Sequence, residues 1–236
     1  MAWGLFRMIA AHLLSSTSLI LGWLIYLPLL CWAIWRTPWV ELCSDLRRQH
    51  LLGGTALALF VLWLVRRDFD SGLSYHFIGM TAVTLLLDWP LAMLVGLIAQ
   101  LGLLALGKQD LAALGVNGVL LVVIPVCVTE ACALWVEKKQ PRNLFVYIFF
   151  SGFFAAALAA LLCIAAAFTL LWVDGLFPMP PWLEDFIGYL WLVIFPEAFI
   201  NGMLVSALVV FYPDWLETFN RTRYLAAPWK GDDLPR

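Results

Sequence analysis

The sequence predicts an all-α integral membrane protein: a bundle of about seven transmembrane helices, N-terminus outside and C-terminus cytoplasmic. Composition is the first reason. Of 236 residues, 64% are hydrophobic and 13% charged, with a mean hydropathy of +0.91. A soluble domain of this length cannot hide so much apolar surface, since ordinary usage is roughly half apolar and about a quarter charged. The second reason is pattern: the apolar residues fall in long runs parted by short polar turns. The third is the 13 Trp, whose rings suit the boundary between lipid and water. A net charge of −2 without a large basic patch gives no footprint for nucleic acid.

A helical span needs about 20 apolar residues, fewer inside a bundle. The first runs from about Ser15 to Trp35 and the second from Leu51 to Val65. The third covers Leu73 to Leu87 and the fourth Pro90 to Leu106, with Asp88-Trp89-Pro90 as a tight turn between them. Proline disfavours helix at the residue before it, which places a break there. The fifth span covers Leu114 to Val136. The sixth, Leu144 to Val173, is long enough to tilt. The seventh covers Ile187 to Tyr212. Together these make one transmembrane domain over 1–236, with a short interfacial segment at 1–14 and a cytoplasmic tail at 213–236. The opening MAWGLFRMIAAHLL is too short and too broken by Arg7 to read as a signal peptide, so it is expected to be retained.

Lys and Arg set the orientation. With the N-terminus outside, the inner segments hold ten: Arg36, Arg47, Arg48, Lys138, Lys139, Arg142, Arg221, Arg223, Lys230 and Arg236. The outer segments hold four: Arg7, Arg66, Arg67 and Lys108. The five cysteines form no CxxC pair and read as packing residues.

Polar residues in the spans are the candidates for function. His76, in Ser74-Tyr75-His76, sits at the mouth of span three, where a titratable or metal-binding side chain suggests a solute site. The bland alternative is an interfacial histidine. Met80 follows His76 by four residues, and His12 lies at the mouth of span one on the same side. Two imidazoles and a thioether suit a late first-row metal. Glu197 and Asn201 are four apart on one helix face, behind Pro196, and Glu130 lies five residues after Pro125. A carboxylate in lipid needs a partner or a proton, so structure, transport and subunit coupling all compete for these two glutamates. Both are expected nearer the inner half than His76. Asn117, Gln100 and Thr129 read as interhelical hydrogen-bonding groups. No HExxH, GxSxG or GxxxxGK[ST] motif is present, so nothing points to an enzyme.

The run SGLSYHFIGMTAVTLLLDWPLAMLVGLIAQLGLLALGKQDLAALGVN, followed later by PEAFINGMLVSALVVFYPDW, resembles the CbiM/NikM substrate-binding permeases of cobalt and nickel energy-coupling-factor transporters. His76, Gly115 and Asn117 carry the likeness best, then Glu197 and Gly202. The resemblance implies a bacterial inner-membrane permease that captures a divalent ion outside. A coupling transmembrane subunit and cytoplasmic ATPases then drive its release. It implies no permanently bound cofactor, with Ni(II) or Co(II) as the transported ion. His76 is implied as a metal ligand, with Asn117, Ser74 and Met80 as site-organising residues. In the family a free N-terminal amine and a second-residue histidine complete a square-planar nitrogen site. This chain instead begins Met-Ala-Trp-Gly and has its first histidine at His12. A permease carrying an organic solute, with Tyr75, Phe77 and Trp89 lining its cavity, and a non-transporting membrane scaffold are the other readings.

Overall fold

The computed structural model describes residues 9–68, 74–139, 143–175 and 190–225. Helix α1 (Ser16–Arg36) starts where the Ser15 side chain accepts the Ser18 N–H. It buries Ser18, Gly22, Tyr26, Leu30 and Ala33 along one stripe, while Ile20, Leu24, Leu27 and Trp35 point outward. In so apolar a chain that outer face is the lipid face. Pro38 and Trp39 begin a short α2 (Trp39–Ser44), and Asp45 caps α3 (Leu46–Leu64) through the Arg47 and Arg48 N–H groups. Strands β1 (Arg66–Asp68) and β2 (Ser74–His76) form an antiparallel ribbon, Arg66 facing His76. Next come α4 (Met80–Leu87) and α5 (Trp89–Ala105). Two long helices follow, α6 (Leu111–Lys139) and α7 (Leu144–Val173). The last are α8 (Leu190–Phe211) and α9 (Arg221–Leu225). Among the described residues, four helices (α1, α6, α7 and most of α8) are long and apolar enough to cross a bilayer.

Five of the seven expected spans are continuous helices, and the seventh is helical over Leu190–Phe211, its first residues 187–189 lying outside the described residues. The third is not continuous. A helix over Leu73 to Leu87 was the simple reading of that run, but regular helix starts only at Met80. Eight residues rise about 12 Å against a hydrocarbon core of about 30 Å. The rest of the crossing is β2 and the irregular step Phe77-Ile78-Gly79. Non-helical backbone survives at membrane depth only when protein surrounds it. Here Ile78 and Met80 to Leu85 are buried, so α4 is walled off from lipid.

Helices in lipid gain little from apolar contact alone and rely on close approach. Gly22 of α1 lies against Val116, where an added Cβ would come within 2.6 Å of the Val116 nitrogen. Reciprocally, a Cβ on Gly115 would meet the Trp23 nitrogen at 2.7 Å, and one on Gly118 would enter the Tyr26 ring. Gly22 of span one therefore serves α6 of the same chain. The Tyr26 hydroxyl donates to Gln100 Oε1 at 2.8 Å, tying α1 to α5. Two π-helical stretches, Val119–Val123 and Tyr147–Phe154, lie in α6 and α7. In the first, the Leu120 carbonyl accepts the Cys163 thiol.

At one end of the bundle Asp174, after α7, gathers the start of α1. Its Oδ1 accepts the Ser15 and Ser18 hydroxyls, each at 2.7 Å, and its Oδ2 accepts the Ser15 N–H at 2.9 Å. Burial pushes the Asp174 pKa up, but these three hydrogen bonds outweigh it and hold it below the ordinary 3.8. A carboxyl with a depressed folded-state pKa stabilises the fold above its unfolded value, and that contribution fades as pH falls through the folded value. Thermal melts should therefore show an acid-side loss of stability, below about pH 4, that Asp174→Asn reduces. At the other end Arg48 reaches Glu41 at 2.8 Å and Glu217 at 3.2 Å, joining α2, α3 and the segment after α8.

Candidate cargo site

His76 is 7% exposed at the end of β2. Its ring packs on Trp63 of α3, with centroids 5.6 Å apart. Nδ1 lies 2.9 Å from the Phe77 carbonyl. A carbonyl only accepts, so this contact puts a proton on Nδ1; in the neutral form of such a ring the lone pair lies on Nε2. That is the tautomer in which a backbone-anchored histidine presents Nε2 as a ligand.

The backbone around the ring is fixed group by group. The Trp63 indole N–H donates to the Ile78 carbonyl at 3.0 Å. Glu197 of α8 accepts the Ile78 N–H at 2.9 Å with one oxygen and the Gly79 N–H at 2.8 Å with the other. Asn201, one turn on, accepts the Ala82 N–H at 2.9 Å and donates to Glu197 Oε1 at 2.8 Å. The first turn of α4 thus finds, in α8, acceptors for N–H groups that a helix start leaves unpaired. Gly79 makes the bend possible. It has φ 68, and a Cβ there would stand 2.7 Å from Leu62 Cδ2.

Sequence reasoning placed Glu197 in the inner half, away from His76. The structure places its carboxylate on the backbone two and three residues beyond the histidine. Its partners are main-chain groups, which no side-chain pattern displays. Trp63 was missed because a Trp near a span end reads as an interfacial anchor, whereas this one is fully buried. Met80 is also completely buried, but it opens α4 while His76 ends β2, so the four-residue spacing does not put them on one helix face. Ser74 belongs to β2; its side chain and that of Tyr75 lie outside the described residues. Trp89 packs at a tilt on Trp32, ring centroids 4.7 Å apart, just past the end of α4 opposite Phe77.

Asn117 has a different task. It is buried, its Oδ1 accepts the Ile9 N–H at 3.2 Å, and its Nδ2 donates to the Ile9 carbonyl at 3.3 Å. The chain before α1, expected at the interface, is thereby drawn inward: Ile9, Ala10 and Leu14 are buried beside Val116 and Leu171. His12 is exposed in the turn Ala11–Leu13. Among the described residues no three His, Cys, Asp or Glu side chains gather to hold an ion. Asn117→Leu should free this segment, leaving the Ile9 groups unpaired at about 1–3 kcal/mol each. Proteolysis or hydrogen exchange at residues 9–14 should accelerate well before global unfolding.

Glu130 does not join His76. With Asp88, Glu137, Glu217, Arg48 and Arg221 it lines a cavity of about 560 Å³ at the end of α4 opposite Gly79. Its Oε2 is buried without a hydrogen-bond partner. Asp88 caps α5 from a backbone at φ 71.

A polytopic helical bundle that shields a broken span, with a buried histidine fixed beside the break, has the build of a membrane permease. The family described as cobalt uptake substrate-specific transmembrane region, CbiM, matches residues 9–215, and the chain belongs to it. Two solved structures are similar in fold. A transition metal transporter shares 18% identity over 86% of this chain and 92% of its own, with a TM-score of 0.66. A truncated transition metal transporter shares 16% over 86% and 99%, with a TM-score of 0.65. No curated protein matches the sequence.

Proposed function

We propose that this protein is the substrate-binding permease subunit of an energy-coupling-factor type ABC transporter, taking up Ni(II) or Co(II) across a bacterial inner membrane. A coupling transmembrane subunit and cytoplasmic ATPases are its partners. The observation that carries the reading is His76: buried, with Nδ1 against a carbonyl and its backbone clamped by Glu197. Imidazole nitrogen is a favoured ligand for both ions. The basic residues support the orientation, since Arg47, Arg48, Lys138, Lys139 and Arg221 fall at the turns on the Asp88 side, away from His76. His76 then faces the outside, where cargo is captured.

His12 is the nearest imidazole in the chain before α1, and Asn117 organises the approach by holding Ile9. The deciding measurement is titration of the purified full chain with Ni²⁺ and Co²⁺ by calorimetry. Binding should be lost, or weakened at least ~100-fold, in His76→Ala, since ligand removal exceeds the roughly 10- to 100-fold effect of losing an outer-shell partner. Equal binding by parent and variant would refute the assignment.

A further inference from the structure

Gln109, in the turn between α5 and α6, is 2% exposed, yet neither its Oε1 nor its Nε2 has a hydrogen-bond partner. Buried amides are normally paired, so an orphan at this depth calls for a specific partner. Several contacts relate this turn to His76. The Lys108 carbonyl, one residue before Gln109, accepts from Arg66 Nη1 at 3.2 Å, and Arg66 is the cross-strand partner of His76. The Lys108 N–H donates to the Leu103 carbonyl at 2.8 Å. Leu103 shares a packed cluster with Trp63 and Ile78, the residues that hold the His76 ring and the backbone after it. The turn is therefore stapled to the ribbon that carries the histidine.

We propose that Gln109 is a further cargo-contacting residue. Its carboxamide oxygen meets the divalent cation, or a water on that cation, and its NH₂ group bonds a second ligand of the ion. An amide oxygen is a neutral, hard donor, which complements imidazole on a first-row divalent ion without adding charge to a buried site. This rests on the reading of His76 as a cargo ligand.

The test compares the full-length parent, Gln109→Leu and His76→Ala by calorimetry with Ni²⁺ and Co²⁺, alongside metal-free melts. Leucine keeps the bulk and removes two unpaired groups, so metal-free stability should hold or rise. Affinity should fall about 10- to 100-fold. Unchanged affinity in Gln109→Leu, with His76→Ala defective, overturns the Gln109 assignment alone. Failure of the parent to bind either ion, or undiminished binding by His76→Ala, overturns the His76 reading and this inference with it. If Gln109→Leu does not fold, Gln109→Asn withdraws the amide by one methylene. The visible absorption of bound Co²⁺ should then shift, and an unaltered spectrum would rule the contact out.

Discussion

Glu197→Ala should collapse cargo binding while the lipid-facing helices persist. The carboxylate accepts two main-chain N–H groups, those of Ile78 and Gly79, and one amide N–H from Asn201. Truncation leaves the two main-chain donors inside protein with no water to replace the acceptor. At about 1–3 kcal/mol for each unsatisfied group, the loss comes to about 2–6 kcal/mol, concentrated on the start of α4. Helical circular dichroism should change little, because α4 is eight residues long. Nickel or cobalt affinity should fall about 10- to 100-fold, less than in His76→Ala, and exchange of the Ile78 and Gly79 amides should accelerate. Glu197→Gln discriminates among explanations. It keeps one acceptor oxygen but turns an NH₂ toward an N–H donor, so it should fall between parent and alanine variant. Affinity in Glu197→Ala equal to the parent's would show that the clamp does not set the histidine.

The bundle was legible because long apolar runs translate directly into spans, and the sixth ended where expected, at Leu144 and Val173. The broken third span was not. From Phe77 on its run is apolar enough to read as helix, and what stops the helix is remote: Glu197 lies 118 and 119 residues from the amides it accepts. Ser74, His76 and Gly79 were the available hints, since polar residues and a glycine at the head of a short span mark strained backbone. Asn117 was legible as an important residue through the likeness of its surroundings. Its partner, the Ile9 main chain, was not, because a backbone partner leaves no trace in residue type. Gln100 and Thr129 fared better: both make the buried hydrogen bonds that such residues make between helices, to Tyr26 and to Thr81.

Gly115→Leu should have the largest effect on the whole molecule. The α1–α6 crossing is built on backbone approach. The first side-chain carbon added at Gly115 would lie 2.7 Å from the Trp23 nitrogen and 2.9 Å from its Cα. No rotamer change moves a main-chain atom, so the helices must separate. Separation undoes three things together: the seat of Gly22 on Val116, the Tyr26 to Gln100 hydrogen bond, and the placement of Asn117 two residues further along α6. Overpacking ordinarily costs about 1–3 kcal/mol, and a backbone clash with several dependent contacts belongs at or above the upper end. Gly115→Leu should therefore fail to give a monodisperse species in detergent, and Gly115→Ala should melt lower than the parent. The graded pair separates steric cause from general intolerance. At a freely exposed helical position glycine to alanine is stabilising by about 1 kcal/mol. A Gly115→Ala protein more stable than the parent would mean that α1 and α6 do not meet here, and that Asn117 reaches Ile9 by another route.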